Sequence, residues 1–283
     1  MHRSWVIAAT LLCGTSLSAS ADGRLPVVAT IFPLADVARQ LGDGHVEVVT
    51  LLPSGASPHT FEPTPAEVRV VARARLVVAV GGGLDTWAEK LLGARPGATE
   101  VVRITNGLRL RRGGDPHVWL DPLLVRDHIV PAILAALIRA RAEQRAAFEH
   151  AAAEFRVALT RLDADIRNTL APLANKNYIS FHPGWHYFAQ RYGLHEVAVV
   201  EPFPGKEPSA QEIAAVVRAA RAAHVHAILI EPQLNRRIAQ QIANEFGAQT
   251  VVVDPIGGPA VRGRDHYGNL MRYNLRAFAA ALG

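Results

Sequence analysis

Short apolar runs rich in Val, Ile and Leu alternate with stretches of helical spacing along most of this chain, and that alternation leaves few folds open. In the first half the runs are 27–32, 46–52 and 76–80, with helical patterns at 34–41, 64–74 and 84–92. In the second half the runs are 178–181, 196–200, 227–230 and 250–253, with helical patterns at 185–192, 209–223 and 236–246. Parallel strands need a crossover, usually a helix, so repeated β-then-α units predict parallel sheets covered on both faces. The stretch 123–173 carries no strand pattern. Within it, 141–170 is dense in Ala, Arg, Glu and Leu, with Phe148, Phe155, Leu159, Leu162, Ile166 and Leu170 at helical intervals. At 1.5 Å per residue this is a rod of roughly 40 Å. The expected architecture is therefore α/β: two lobes, each a mostly parallel sheet flanked by helices, joined by one long rigid helix with a cleft between them. The expected bounds are 22–140 for the first lobe, 141–172 for the linking helix and 173–283 for the second.

The first 21 residues read as a targeting segment. Arg3 gives a basic start, 5–13 is an apolar run too short to span a bilayer, and Ala19-Ser20-Ala21 is an A-x-A cleavage pattern. Cleavage near Ala21 predicts an exported product. Cys13 is preceded by Leu12, where a lipoprotein signal wants a small residue, so a lipid anchor is not expected. Cys13 is also the sole cysteine. The mature chain then has no thiolate, and any metal site must use His, Asp, Glu or water.

Four chemistry-bearing residues stand at strand ends or in the loops that follow. The run 46–52 leads through Pro53 to His59. His117 lies inside Asp115-Pro116-His117-Val118-Trp119-Leu120-Asp121-Pro122. Tyr178-Ile179-Ser180-Phe181 runs into His182, and Val251-Val252-Val253 runs into Asp254. In open α/β sheets the loops after the carboxyl ends of strands form the ligand crevice. Three imidazoles and one carboxylate gathered there would suit zinc or a neighbouring divalent cation. The chain has 12 histidines, so any single one carries little weight by itself, and no short-range zinc signature such as H-E-x-x-H is present. A formal charge of +5 could suggest nucleic acid, but the arginines are scattered over Ala-rich helical stretches without an aromatic-interleaved basic stripe. No nucleic-acid partner is expected.

Longer stretches carry a resemblance. Pro58 to Pro65, Asp115 to Pro122, and Phe181-His182-Pro183-Gly184-Trp185-His186-Tyr187-Phe188 with Arg191-Tyr192-Gly193-Leu194 resemble the zinc/manganese branch of periplasmic solute-binding proteins. So do Gly205 to Ala210, Glu231-Pro232-Gln233 and Asp254-Pro255-Ile256-Gly257. The likeness runs from about Val27 to the C-terminus. It implies a monomeric receptor serving an ABC transporter permease, with metal ligands His59, His117, His182 and Asp254, the set already picked out by strand ends. Manganese-type members of that family place Glu at the third ligand position. Histidine at 182 favours Zn2+ over Mn2+. Many zinc receptors of the family carry a long His- and acid-rich loop between the first two ligands; here Leu108 to Gly114 is short and basic, which weakens the case for docking a metallochaperone there.

Candidate partners for the metal-bound imidazoles are Glu62, Glu201, Glu231 and Asp121, since such histidines usually donate their second N–H to a carboxylate or carbonyl. His186 could share a helical face with His182. Two other readings stay open: a zinc hydrolase using Glu62 or Glu231 as general base, which needs an open coordination position, and a surface adhesin or metal buffer without a transporter.

Overall fold

The computed structural model describes residues 23–93, 99–111, 114–203 and 205–283. The targeting segment, its cleavage pattern and Arg112 lie outside the described residues.

The chain runs β1 (Leu25–Ala29), α1 (Phe32–Gly42), β2 (Val46–Thr50), α2 (Pro65–Arg73), β3 (Leu76–Ala79), α3 (Thr86–Gly93) and β4 (Glu100–Arg103). A short helical turn α4 (Pro122–Leu124) and a π-helical stretch, Val125–Ile129, lead into α5 (Val130–Ala140). Pro131 has no N–H to give to the ladder, and just before it Val130 N reaches back five residues to Val125 O. Then come α6 (Arg145–Leu170), β5 (Asn177–Ser180), α7 (His186–Tyr192), β6 (His195–Val199), α8 (Ala210–Ala222), β7 (Ala227–Ile230), α9 (Arg236–Asn244), β8 (Gln249–Val252) and α10 (Tyr267–Leu282).

The strands form two four-stranded sheets of the same order, β2-β1-β3-β4 and β6-β5-β7-β8. Every strand pair within them is parallel. The inner strands β3 and β7 are fully buried, as continuous apolar runs Leu-Val-Val-Ala and Ala-Ile-Leu-Ile require. Two capping boxes start helices: Thr64 with Glu67 opens α2 and Ser209 with Glu212 opens α8.

The 26-residue α6 spans about 39 Å. It packs against α1 and α5 of the first lobe and against α10, which lies on β5, β7 and β8 of the second. Phe148, Phe155, Leu159, Leu162, Ile166 and Leu170 are its buried stripe. They belong to one continuous apolar core that also holds Trp119, Tyr178, Trp185, Phe188 and Phe278. Trp185, Phe188 and Phe278 meet with ring centroids 4.7–5.9 Å apart. Polar bonds tie the lobes together as well. Trp119 Nε1 donates to Pro255 O at 2.8 Å, Tyr267 Oη donates to Trp119 O at 2.8 Å, and Arg191 clasps Asp121 at 2.7–3.0 Å.

Two elements escape the sequence pattern. The strand β4 is four residues long, half-buried and at a sheet edge, so its pattern is too short to register. Helix α10 starts without a side-chain cap. The long helix itself begins at Arg145, after a break at Arg141 and a 3₁₀ turn over Ala142–Gln144.

Candidate metal centre

Three loops at the carboxyl edges of the two sheets deliver three imidazoles to one place. His59 lies on the loop from β2 to α2. That loop is pinned by Trp87 Nε1 donating to Pro58 O at 3.0 Å, with Phe61 edge-on to the Trp87 ring at 4.8 Å. His117 follows β4 and immediately precedes the turn Val118–Leu120. His182 follows β5, and Gly184 N folds back to His182 O at 2.9 Å. Gly184 is a close approach: a Cβ there would sit 3.2 Å from the His182 ring and 3.4 Å from the His117 ring.

The ring centroids of His59, His117 and His182 are 4.8–5.4 Å apart. One ring nitrogen from each lies within 4.8 Å of the others. Zinc–nitrogen bonds of about 2.0–2.1 Å in a tetrahedron require N···N spacings of about 3.4 Å, so small ring rotations would close the set. The donor inventory fits a cation. His59 Nε2 is buried and has no hydrogen-bond partner. His117 Nδ1 is bonded to Asp115 Oδ1 at 2.7 Å, which leaves Nε2 to offer its lone pair. His182 Nδ1 lies 3.6 Å from Glu231 Oε1, a buried carboxylate that also accepts from Trp185 Nε1 at 3.1 Å.

Electrostatics keep His59 and His117 neutral. Burial, followed by the like charges of His182 and His117, pushes His59 down to about 3. Burial lowers His117 too, against the pull of Asp115. Asp115 would be raised by burial alone, but hydrogen bonds from His117 and His186 take it well below the usual carboxylate range. A neutral imidazole beside an ionised carboxylate is the protonation state that a metal ligand and its supporting acceptor need.

The expected fourth donor does not join this group. Asp254 is buried at the end of β8, but its carboxylate is already engaged. Oδ1 accepts Ile256 N at 3.0 Å and Gly257 N at 2.9 Å, and Oδ2 is paired with Arg264 Nη1 at 2.8 Å. It lines a neighbouring cavity of about 200 Å³ with Ser54, Gln233 and Arg264. The histidines line a separate, much tighter one of about 10 Å³, shared with Trp119, Gln233 and Ile256. Strand-end position brings Asp254 to the crevice, and in this structure an arginine ten residues on pairs with its carboxylate.

The supporting carboxylates also differ from expectation. Asp121 caps α4 and binds Arg191, Glu201 accepts Gly205 N, and Glu62 is exposed. Of the four candidates only Glu231 approaches a site histidine. The principal partner is Asp115. Its signal is the D-x-H spacing, because an Asp side chain readily accepts from the backbone N–H two residues on, as His117 N to Asp115 Oδ1 at 3.0 Å shows. His186 has carboxylates at both of its ring nitrogens, which leaves neither for a metal.

Two parallel-sheet lobes bridged by a long helix, with the site at the strand ends between them, are the architecture of a two-lobed solute-binding receptor. The chain belongs to the ZnuA family, described as zinc-uptake complex component A, periplasmic, whose family model matches residues 27–281. It is 30% identical over 318 aligned residues to the high-affinity zinc uptake system protein ZnuA of Bacillus subtilis, covering 100% of this chain and 99% of that one. A crystal structure of ZnuA superimposes with a TM-score of 0.83 at 29% identity, over 92% of this chain and 100% of that one. The Zn(II)-bound ZnuA-like domain of Streptococcus pneumoniae AdcA matches with a TM-score of 0.79 at 27% identity, over 92% and 99%.

Proposed function

We propose that this chain is an exported receptor that captures Zn2+ on His59, His117 and His182 and hands it to the permease of an ABC importer. The observation that carries this reading is the convergence of three buried or half-buried imidazoles, one of them with an orphaned Nε2, in a cavity of one-ion size. Zinc is the cargo: three imidazoles favour it over manganese, which prefers oxygen-rich sites. Asp254 stays with Arg264, and the fourth position falls to water or another small donor. All three imidazoles come from one chain, so a monomer suffices. A leader cleaved near Ala21 would bring it to the periplasm. The docking of a metallochaperone gains no support from the short basic stretch that replaces a His-rich loop.

The hydrolase reading draws less support from the carboxylates around the site. Glu62 is exposed, and Glu231 meets His182 on the Nδ1 edge of its ring, opposite the nitrogen left for a metal. An adhesin or buffer role gains no specific observation.

Metal analysis of the purified mature protein tests the proposal. One zinc per chain, lost in both His59→Ala and His117→Ala, is the expected result. No zinc in the parent, or undiminished zinc in both variants, would overturn it.

A further inference from the structure

Behind the three histidines runs a second polar array that the metal does not touch. It starts at His117, whose Nδ1 and backbone N both meet Asp115 Oδ1, at 2.7 and 3.0 Å. Asp115 Oδ2 meets His186 Nδ1 at 3.1 Å. On the other edge of that ring, His186 Nε2 lies 2.8 Å from Glu196 Oε2 of β6, and Glu196 Oε1 accepts Ser180 Oγ at 2.6 Å. The side chains of Asp115, His186 and Glu196 are 5%, 10% and 2% exposed. Thus one imidazole at the start of α7 separates two buried carboxylates, one from each lobe. The next residue strengthens the same junction: Tyr187 Oη donates to Asp115 O at 3.1 Å and accepts Arg111 N at 3.2 Å.

We propose that His186 is a positioning residue of the metal site: by occupying Asp115 Oδ2 it fixes the carboxylate whose Oδ1 holds His117 with Nε2 facing the metal. This rests on the reading of His59, His117 and His182 as zinc ligands. The reasoning is one of hydrogen-bond accounting. An ionised carboxylate only accepts, so as long as both oxygens of Asp115 are held by donors, His117 must present an N–H at Nδ1 and a lone pair at Nε2. That is the tautomer a zinc site needs, and the outer-shell partner that imposes it commonly carries much of the affinity. Burial works against charge on His186, but its bonds to Asp115 and Glu196 outweigh burial and raise it to about 9, so it is a cation at neutral pH. Without that cation two buried carboxylates face each other across the junction. Asp115 Oδ2 also loses its donor, so the carboxylate is free to rotate and His117 is no longer held in one orientation and tautomer.

Sequence spacing alone makes His186 a neighbour of His182, one helical turn away. The geometry assigns it elsewhere, because it serves His117, which comes from the other lobe, and not His182.

The test uses the full mature chain and zinc alone, with affinity read by chelator competition, His117 ring nitrogens read by 15N NMR in the metal-free protein, and site geometry read from the visible spectrum with Co2+ in place of zinc. His186→Ala should weaken zinc by about tenfold to a hundredfold, replace the single His117 tautomer by a mixture, and shift the Co2+ bands. His186→Gln, which can still donate to Asp115 Oδ2, should recover part of the affinity and most of the tautomer; should the alanine variant fail to fold, the glutamine variant and the parent carry the comparison. Unchanged affinity would overturn the proposal. So would weaker zinc with an unchanged tautomer and Co2+ spectrum, which marks a loss of general stability only. Failure of the ligand reading looks different: the parent itself would bind no zinc, or His59→Ala would bind it as the parent does.

Discussion

The two lobes share a strand order and use their strand ends unequally. In the first, the loops after β2 and β4 supply His59 and His117. In the second, the loops after β5 and β8 supply His182 and Asp254, but only the histidine reaches the common site. The carboxylate is held by two backbone N–H groups and Arg264. Topology therefore decides which residues arrive at a crevice, and the nearest opposite charge decides whether an arriving residue is free to bind. His59 and His117 escape that competition because burial keeps them neutral, whereas a buried carboxylate must find a cation or a donor.

The contrast is sharpest in the ligand variants. Removing an imidazole should cost zinc affinity on the order of a hundredfold or more, since it deletes a bond to the metal; isothermal titration of His117→Ala against the parent reads this. Asp254→Ala should do the reverse, keeping one zinc per chain while lowering unfolding stability by about 2–3 kcal/mol. That variant strands Arg264 and two backbone donors. A urea titration beside the metal analysis measures both. If zinc vanished from Asp254→Ala while stability held, the proposed division between the lobes would be reversed.

The metal-free protein should also show its charges in a pH profile. His59 sits near 3 when folded and about 6.5 when unfolded, so between those values the unfolded chain binds a proton that the native site refuses. Stability then falls as pH drops below about 6.5. His186 goes the other way. Raised to about 9, it holds a proton the unfolded chain has lost, and its contribution fades as pH rises from 6.5 through 9. Urea midpoints at about pH 4.5, 6.5 and 8.5 should peak at the middle value. His59→Asn should shrink the acid arm to the share of His117 and leave the alkaline arm in place. The smallest effect belongs to the scaffold of the His59 loop: Thr64→Ala removes the cap of α2 at a cost of about 1 kcal/mol, read as a shifted urea midpoint with zinc stoichiometry unchanged.

How far the sequence reaches follows from the same contrast. Strands β3 and β7 are plain in the chain because each rests on a local pattern, an unbroken apolar run. The convergence of His59, His117 and His182 is legible because parallel sheets put strand ends on one edge. The engagement of Asp254 is not, since Arg264 lies ten residues away in a segment without regular structure, and nothing local aims its guanidinium back at the strand end. The bridge from Asp115 to His186 spans 71 residues and both lobes, so it exists only once the lobes close on each other. Edge strand β4, four half-buried residues, lacks the length that makes a period visible.

X-ray absorption on the zinc-loaded mature protein bears most directly on the three-imidazole site. Three imidazole nitrogens at about 2.0–2.1 Å, with a scattering pattern identical in parent and Asp254→Ala, is the outcome this account requires. Fewer than three imidazoles, or an oxygen shell that disappears with Asp254, would contradict it.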